Sequence, residues 1–538
     1  MNTLYLGDCL NVLRESIPDE SVDLIYNDPP FNSKRDYNIF FDDKEIQTQR
    51  IAFEDTWTLK NIQDSLAELH TLKTDYLYFL LLTYQKVAPH AFPYLTMMSL
   101  RILEMHRVLK PTGSFYLHCD PTMSHYLKTV CDIIFGEKNF RNEIIWKRKT
   151  GRGETNQKSN RFGVSTDILL FYGKSKLAGL NPQFSFDAAG YQEYVDKFFT
   201  LTDENGRKYA IDNLASPSPR PNLKYSYKGY SPPENGWAIS KEKMEQWDNE
   251  GRLHFPEDKN GRIRRKRYLD ELQGKPIQNL WDDIKPISSQ SKELLGYPTQ
   301  KPKALLERII KASSNEGDTV LDGFSGCGTT IDAAEGSHRN WIGIDISPIA
   351  ISLVKRRLID TYGENLSKFE VRGTPTSEQS AIELWKQNPN AFQDWWLTEF
   401  EVFSTTFGTK GADKGIDGIA QYLTDPKTQN VVRAAFQVKG GIHIKPEHID
   451  ALRGAMENHK CELGIFLTIT EPTKQMLDII ASSGFVKIPG YEIPRLQILT
   501  LKEYFGKTKK LKLPQVNITF KAAQFKGKKK QNQMNVEL

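Results

Sequence analysis

The chain has 538 residues, which at roughly 150 residues per domain corresponds to about three or four folded units. Hydrophobic residues make up 39% and charged residues 26%, a globular balance that excludes disordered and fibrous chains, and no apolar run approaches the ~18 residues of a membrane-spanning helix. We therefore expect no membrane partner. The five scattered cysteines form no CxxC pair, so we expect neither disulfides nor a zinc site, and we expect a cytoplasmic location.

The net charge of +5 conceals three basic segments. Residues 507–538 hold nine lysines and one acid, residues 138–176 hold ten Lys or Arg against three acids, and residues 259–267 form a third cluster. Such segments are typical of a chain that binds a polyanion, most often a nucleic acid, although solvated faces and tails give the same runs.

The first third of the chain alternates strand and helix patterns, which indicates an α/β sheet. We predict a strand over 21–26, a largely helical stretch over 42–95, a helix over 94–108, a strand over 114–119 and a helix over 122–135. From 147 to 297 prolines and glycines become frequent, and the pattern predicts an irregular inserted region with short strands.

Regular alternation returns after Pro302. We predict helices over 303–313, 329–335 and 348–361 and strands over 319–322 and 340–346. A linker over 374–380 and a second, smaller α/β unit follow, with Val432 to Lys439 as one of its strands. The expected domains are 1–376, 377–505 and a basic tail over 506–538.

The segment Thr319 to Thr330, TVLDGFSGCGTT, places three glycines between a strand and a helix. Glycines let the backbone approach a ligand, and a helix N-terminus offers free N–H groups. Asp345 lies 23 residues after Asp322 at the end of the next strand, where a carboxylate can bind a ribose diol. A NAD site and a plain strand-turn-helix remain alternatives, although the third glycine of GxGxxG is replaced by Ile331.

The turn Asp28-Pro29-Pro30-Phe31 directly follows a predicted strand. Proline removes backbone donors, so the Asp28 carboxylate and the Pro29 carbonyl form an acceptor pair for a planar –NH₂ group, and Phe31 offers a stacking face. An exocyclic amine is a poor nucleophile because its lone pair is delocalised, and hydrogen bonds from its protons favour a pyramidal nitrogen. A simple tight turn is the alternative.

Together, the DPPF turn and the FSGCG loop resemble the amino-methyltransferases of DNA. Five further blocks match that family in order, namely Gly7-Asp8, Lys110 to Ser114, Leu117 to Asp120, Asn139 to Glu143 and Thr299 to Pro302. The order of the catalytic motif, the insert and the cofactor motif resembles the β group, and the resemblance covers roughly residues 1 to 372. It implies a Rossmann-like S-adenosylmethionine-dependent methyltransferase sheet with an inserted target-recognition region.

The resemblance also implies roles for individual residues. Asp28, Pro29, Pro30 and Phe31 would hold a base flipped out of double-stranded DNA. The residues implied in S-adenosylmethionine binding are Asp8 near the adenine, Asp322, Phe324, Gly326, Gly328 and Thr329 in the loop, Asp345 at the ribose and Lys301 beside the methionine end. Gly323 departs from the family, which usually has proline there.

The aspartate at the start of the DPPF motif favours N6 of adenine over N4 of cytosine, and both occur in the family. Methylation at C5 of cytosine is not expected, because it uses a cysteine that follows proline and no cysteine here does. The insert over 147–297 would read the DNA sequence in the groove. His118 and Asp120 match a family block, but we interpret them as a satisfied core pair.

The second unit carries Gln437 and Lys439 two residues apart on one predicted strand, with Asp417 on an earlier strand. Such a set could hold Mg²⁺ through Asp417 and Gln437 and orient a water for phosphodiester attack, although QxK is also an ordinary sheet face. The pattern GID…QVK followed by GIFLT resembles the Mrr-like restriction endonuclease domain of the PD-(D/E)xK superfamily. In that pattern the catalytic set is Asp417, Gln437 and Lys439, with Glu399 as a further candidate acid.

The sequence therefore predicts a DNA amino-methyltransferase fused to a Mg²⁺-dependent nuclease. One alternative is a methyltransferase, N4-cytosine-specific or not, whose second domain only binds DNA. A NAD-dependent Rossmann enzyme and a methyltransferase of RNA or protein amides are the others. A homodimer is left open, and methylation would protect a host site from the second domain if both sites act.

Overall fold

The computed structural model describes residues 1–30, 37–43, 46–53, 63–72, 75–149, 162–186, 190–288, 291, 293–295, 297, 299–404, 416–425, 430–441 and 443–519. The chain divides into two compact units, one of Met1–Asn181 with Ile284–Leu538 and the other of Pro182–Asp283. No helix in the described ranges has the length and apolar character needed to cross a membrane.

The first 181 residues contain strands interleaved with helices. The strands are β1 (Asn2–Leu6), β2 (Val22–Asn27), β3 (Tyr37–Asp43), β4 (Ile46–Phe53), β5 (Leu109–Cys119), β6 (Phe140–Lys147) and β7 (Thr166–Gly173). The helices are α1 (Cys9–Ser16), α2 (Gln63–Thr71), α3 (Asp75–Val87), α4 (Phe92–Val108) and α5 (Ser124–Phe135).

The prediction of a largely helical stretch over 42–95 was wrong at its start. Strands β3 and β4 form an antiparallel hairpin there, and helices occupy only the later part. Isoleucine and phenylalanine, which favour strands, recur in both of them.

The second unit is built of short strands and two helices, as expected of an irregular insert. Its strands are β8 (Phe184–Ser185), β9 (Leu201–Thr202), β10 (Lys208–Asn213), β11 (Leu253–His254), β12 (Arg264–Tyr268), β13 (Lys275–Pro276) and β14 (Leu280–Trp281). Its helices are α6 (Tyr191–Phe198) and α7 (Lys241–Asn249). Strands β11-β12-β10-β9 form an antiparallel sheet, and a small core surrounds the fully buried Trp237.

The segment after the insert returns to regular alternation, as predicted. It contains strands β15 (Thr319–Asp322), β16 (Asn340–Asp345) and β17 (Phe369–Arg372) and helices α8 (Lys303–Ser313), α9 (Thr329–Gly336) and α10 (Pro348–Tyr362). These bounds match the predicted ones to within one residue for α8, α9, α10, β15 and β16.

The strands of the main sheet come from both ends of this unit, in the order β6-β7-β5-β2-β15-β16-β1-β17. Strands β5, β2, β15, β16, β1 and β17 run parallel, while β7 is antiparallel to β5 and β6. From β2 the chain continues toward β5, and from β15 it continues toward β16. The carboxyl ends of β2 and β15 therefore meet at a topological switch point, where open α/β sheets form their ligand crevice.

The C-terminal part of the first unit has its own sheet. Its strands are β18 (Phe403–Ser404), β19 (Gly418–Asp425), β20 (Asn430–Lys439), β21 (Leu463–Thr468), β22 (Phe485–Ile488), β23 (Tyr491–Pro494), β24 (Leu496–Thr500) and β25 (Val516–Asn517). Its helices are α11 (Glu378–Gln387), α12 (Pro389–Thr398), α13 (Pro446–Asn458), α14 (Lys474–Ser482) and α15 (Leu501–Gly506). The sheet order is β18-β19-β20-β21-β24, with β25 beside β19 and a core that includes Trp395, Trp396 and Phe436.

The predicted linker over 374–380 is only partly a linker. Helix α11 begins at Glu378, and Ser377 and Ser380 form a reciprocal capping box at its start. Serine is favoured at helix N-caps because its hydroxyl accepts an otherwise unpaired N–H group. The serines that we interpreted as linker residues thus start a helix.

Candidate active sites

Asp28 lies directly after β2, at the switch point of the main sheet. The ammonium group of Lys301 contacts Oδ2 of Asp28 and lies 3.4 Å from the carbonyl oxygen of Thr299. Pro29 is buried and Pro30 is half-buried, while Phe31 lies outside the described residues. The sequence assigned Lys301 to the cofactor, and the structure pairs it with the predicted catalytic carboxylate 273 positions away.

Gly323 connects the cofactor loop to β2. Its N–H group donates to Oδ1 of Asn27 at 3.0 Å, and a Cβ atom here would lie 2.8 Å from Sγ of Cys9 and 2.9 Å from Cε of Met105. A proline would lack the N–H group and add atoms to this contact. Glycine, which stands here where the family usually has proline, therefore fits the contacts around position 323.

The glycines of the loop adopt backbone conformations that other residues rarely do. Gly326 has φ +50° and Gly328 has φ +74°. A Cβ atom at Gly326 would lie 3.2 Å from the ring of Tyr297, and one at Gly328 would lie 2.6 Å from Val354. The sequence identified both glycines but not Tyr297, whose buried ring lies against the loop.

Two carboxylates, the buried Asp322 and the half-buried Asp345, bracket this loop. Oδ1 of Asp322 accepts the N–H group of Phe324 at 3.0 Å, and burial, reinforced by Asp28 and Asp345, raises the pKa of Asp322 to about 7. Burial also raises the pKa of Asp345 to about 6, although its oxygens accept N–H groups of Gly326 and Ser347, each at 2.8 Å. A desolvated acid cluster of this kind favours a cationic or multiply donating ligand.

Thr329, which the resemblance assigned to the cofactor, has a buried side chain. Its hydroxyl accepts from Nη1 of Arg357 at 3.0 Å and lies 3.7 Å from Sγ of Cys327. Arg357 in turn forms a buried ion pair with Asp332 at 2.9 Å. The described contacts of Thr329 are therefore those of a network that fixes α9 against α10.

Asp8 lies just after β1 and caps α1. Its Oδ1 accepts the N–H groups of Leu10 at 3.0 Å and Asn11 at 3.3 Å. Its Oδ2 lies 2.5 Å from Nη2 of the buried Arg101 on α4, a partner that the sequence did not indicate. The N–H group of Gly7 donates to the carbonyl oxygen of Asp345 at 2.9 Å, so Asp8 and Asp345 occupy neighbouring strand ends.

His118 is a satisfied core residue, as expected, but its partner is not Asp120. Its Nδ1 lies 2.9 Å from the hydroxyl of Tyr26, and its Nε2 lies 3.2 Å from Oδ2 of Asp167. Asp120 instead accepts the N–H group of Met123 at 3.0 Å. The strand register places Asp167 on β7, too far along the sequence for a motif to reveal.

The C-terminal sheet brings together the three residues of the second predicted site. Gly418 pairs with Phe436 across β19 and β20, which sets Asp417 beside Gln437. Oδ2 of the buried Asp417 accepts the N–H group of Val438 at 2.7 Å, between Gln437 and Lys439. Glu399 ends α12, and its Oε2 accepts from the hydroxyl of Tyr504 at 2.6 Å.

Gln437 is the unusual member of this set. Its side chain is only 5% exposed, and its Oε1 has no hydrogen-bond partner among the described residues. A buried carbonyl without a partner costs roughly 1–3 kcal/mol, which a ligand on that oxygen would offset. Within the described residues no three His, Cys, Asp or Glu side chains cluster as a metal site.

Two family models match the chain in succession. A model described as DNA methylase, of the N6 and N4 amino-methyltransferases, matches residues 22–356. A model described as restriction endonuclease, of the Mrr catalytic type, matches residues 396–494.

The curated relatives include methyltransferases and a subunit of a restriction–modification enzyme. Type II methyltransferase M.EcaI of Enterobacter cloacae is 32% identical over 266 residues, 49% of this chain and 57% of that protein. The StyLTI Mod subunit, a type III enzyme of Salmonella typhimurium, is 27% identical over 63% of this chain and 52% of its own length. DNA adenine methyltransferase YhdJ of Escherichia coli is 27% identical over 69% of this chain and 88% of that protein. The chain thus spans little more than half the length of the first two.

Among solved structures, a putative DNA modification methylase of Thermus thermophilus complexed with S-adenosyl-L-methionine is 18% identical. The match covers 69% of this chain and 98% of that one, with a TM-score of 0.33.

Proposed function

The chain belongs to the DNA methylase family, and from this premise we propose that it transfers a methyl group from S-adenosylmethionine to an exocyclic amine of double-stranded DNA, with N6 of adenine as the target. The observation that carries the proposal is the meeting of Asp28 with the acidic glycine loop at the switch point of the sheet. The two motifs lie about 300 residues apart, and the parallel pairing of β2 with β15 joins them.

The residues at this edge fit S-adenosylmethionine. Gly326 and Gly328 keep the backbone free of Cβ atoms, and the desolvated carboxylates of Asp322 and Asp345 suit a cationic ligand with amine and ribose donors. The exposed side chain of Ile346 follows Asp345 and offers an apolar surface to an adenine ring. When bound, the cofactor supplies an electrophilic methyl group on a sulfonium centre.

The role of Asp28 follows from its contacts. Lys301 engages Oδ2, and Oδ1 has no hydrogen-bond partner among the described residues, so Oδ1 can accept from a target amine. The Pro29 carbonyl supplies a second acceptor, and together they orient the amine and favour its pyramidal form. No covalent enzyme intermediate is needed, and Lys301 fixes the carboxylate that does the orienting.

Two observations support adenine as the target. The motif begins with aspartate, and one relative that matches 69% of the chain is a DNA adenine methyltransferase by name. N4 of cytosine is the second candidate, because the matching family model spans both amines. Within the predicted insert over 147–297, β7 belongs to the main sheet, and we propose that the compact unit Pro182–Asp283 reads the surrounding sequence.

We further propose that the C-terminal sheet is a Mg²⁺-dependent nuclease. Asp417 and the unpartnered Oε1 of Gln437 provide the oxygen ligands that Mg²⁺ prefers, and Lys439 lies beside them to orient a water for attack on the phosphodiester. The match to a restriction endonuclease model supports this role.

Two single variants, one in each proposed site, test the two activities separately in the full chain. Asp28→Ala should lower methyl transfer by roughly two to three orders of magnitude, because an oriented transition-state contact is lost, and should leave cleavage intact. Lys439→Ala should abolish cleavage and leave methyl transfer intact. If Lys439→Ala leaves cleavage unchanged, the proposed nuclease site is wrong, and if Asp28→Ala keeps full methyl transfer, the proposed methylation site is wrong.

A further inference from the structure

Four consecutive cations occupy β12 in the second unit, and the strand divides them between two faces. The strand Arg264–Tyr268 reads RRKRY. Side chains alternate along a strand, so Arg264 and Lys266 share one face while Arg265 and Arg267 share the other. The surroundings of the two pairs differ.

Arg265 and Arg267 each contact a side chain of the unit that holds them in place. The guanidinium of Arg265 lies 4.5 Å from the ring centre of Trp247 on α7, a cation–π contact. Arg267 pairs with Asp212 at 3.3 Å and lies 5.5 Å from the ring centre of Phe199. Leu253, opposite Arg265, belongs to the hydrophobic core of the unit, so this face packs inward.

Arg264 and Lys266 lie on the opposite face, where their ladder neighbours supply no carboxylate. Arg264 stands opposite Asn213 on β10 and His254 on β11, and Lys266 stands opposite Ile211. Ile211 is 37% exposed, so this face is open. Nζ of Lys266 lies 5.2 Å from the ring centre of Tyr209, and in the part of the chain that the structure describes neither Arg264 nor Lys266 forms a side-chain ion pair.

The groups around this face leave its charge unbalanced. The carboxylate of Asp203 is within electrostatic reach of Lys266, but it accepts the N–H groups of Asn205 and Arg207, each at 2.9 Å. The pKa of His254 is lowered by burial and by the charges of Lys266 and Arg264. Surface cations are usually interspersed with acids, so an open sheet face of this kind suits a polyanion.

We propose that this open face, which we call the β12 face and define by Arg264, Lys266, Ile211 and Asn213, holds the phosphate backbone of duplex DNA. The inference rests on the proposed function and adds to it a surface and the residues that carry it. Two-stranded antiparallel ribbons fit the major groove, and phosphate contacts fix the register of a protein on the duplex. Arg265 and Arg267, by contrast, stabilise the unit itself.

The test measures binding of the full chain to a fluorescent duplex of mixed sequence over a series of salt concentrations. Arg264→Ala combined with Lys266→Ala should lower the slope of log affinity against log salt by about 2 and weaken binding roughly tenfold or more at low salt, because each lost phosphate contact removes about 0.9 from the slope. Lys241→Ala with Lys243→Ala removes the same charge from exposed positions of α7, the helix that packs against the other face through Trp247. That control should change affinity by less than about twofold.

Equal losses in both double variants would overturn the proposal, because they would reflect net charge alone, and so would an unchanged slope in the β12 variant. Thermal unfolding is measured for each variant, and Arg264→Lys with Lys266→Arg, which conserves charge, should keep the slope even if the alanine pair fails to fold. Methyl transfer by the unaltered chain to the same DNA is followed in parallel. Absence of transfer would refute the proposed function, whereas transfer with unchanged binding of the alanine pair would refute the β12 face alone.

Discussion

At the scale of single residues, the cofactor edge is defined by two carboxylates whose pKa values are raised by desolvation. Asp322 is 2% exposed, and its pKa is raised from the usual 3.8 to about 7. Asp345 shows the same effect more weakly, with a pKa of about 6. Desolvated acids of this kind lower stability in the absence of a partner and gain most from a cationic ligand.

The pH dependence of stability follows from Asp322. Between about pH 4 and pH 7 the folded state holds a proton that the unfolded state has lost, so the free energy of unfolding should fall as pH rises through that window, by up to a few kcal/mol. Asp322→Asn removes this titration and should flatten the decline in denaturant unfolding measured across the window. The same variant should weaken S-adenosylmethionine binding, and an unchanged decline would contradict the assignment.

The contacts that sequence reasoning missed share one property, which is the distance along the chain between the two partners. Lys301 contacts Asp28, Arg101 contacts Asp8, and Asp167 contacts His118, each across tens to hundreds of positions. Sequence motifs identify candidate residues, whereas the order of the strands in the sheet determines which of their side chains meet. The pairing of Lys301 with Asp28 changes the interpretation of both residues.

At the scale of elements, the helices and strands that the sequence predicted correctly are those with a clear pattern in their own residues. Helix α8 and strand β15 have the predicted bounds, because each shows a clear hydrophobic period between turn residues. The hairpin β3-β4 was misread as helix, and the start of α11 as linker, because composition was weighed above alternation and capping.

The glycine loop gives a prediction at this scale. Gly326→Ala should weaken S-adenosylmethionine binding by roughly tenfold or more, because it adds about 1–2 kcal/mol of strain at positive φ and a close contact with Tyr297. Gly317→Ala is the matched control, since Gly317 also has positive φ but its Cβ would meet nothing within 4 Å. Calorimetric titration should show normal binding for the control, and equal effects in both variants would remove the loop from the binding site.

Strand β20 gives a second prediction. Gln437→Leu removes a buried carbonyl without a partner and should stabilise the fold by about 1 kcal/mol while abolishing Mg²⁺-dependent cleavage. Gln497 on β24 is the control, because its amide exchanges hydrogen bonds with the backbone of Lys512, each at 2.8 Å, and Gln497→Leu should destabilise. Denaturant unfolding with a cleavage assay measures both, and loss of stability in Gln437→Leu would show that its carbonyl is satisfied.

At the scale of the whole molecule, the methylase sheet and the C-terminal sheet belong to one compact unit. Arg356 on α10 pairs with Glu401 at 3.1 Å and donates to the carbonyl oxygen of Asn517 at 3.4 Å. A cavity of about 180 Å³ lies between Pro348 of α10 and Trp395 of α12. The two predicted activities are thus joined by packing as well as by covalent linkage.

Fusion of the two activities predicts that methylation protects DNA from cleavage. DNA incubated with the Lys439→Ala variant and S-adenosylmethionine should resist the unaltered chain, since its target amines carry methyl groups. DNA incubated with the Asp28→Ala, Lys439→Ala double variant is the control and should still be cut. Cleavage that required prior methylation would reverse the relation between the domains.

The central claim is tested most directly by locating the transferred methyl group. The full chain is incubated with unmodified duplex DNA and labelled S-adenosylmethionine, the DNA is digested to nucleosides, and the labelled base is identified. The account predicts label on N6-methyladenine. Label on N4-methylcytosine would contradict the choice of base, and label at C5 of cytosine, or none in DNA while RNA or protein is labelled, would contradict the central claim.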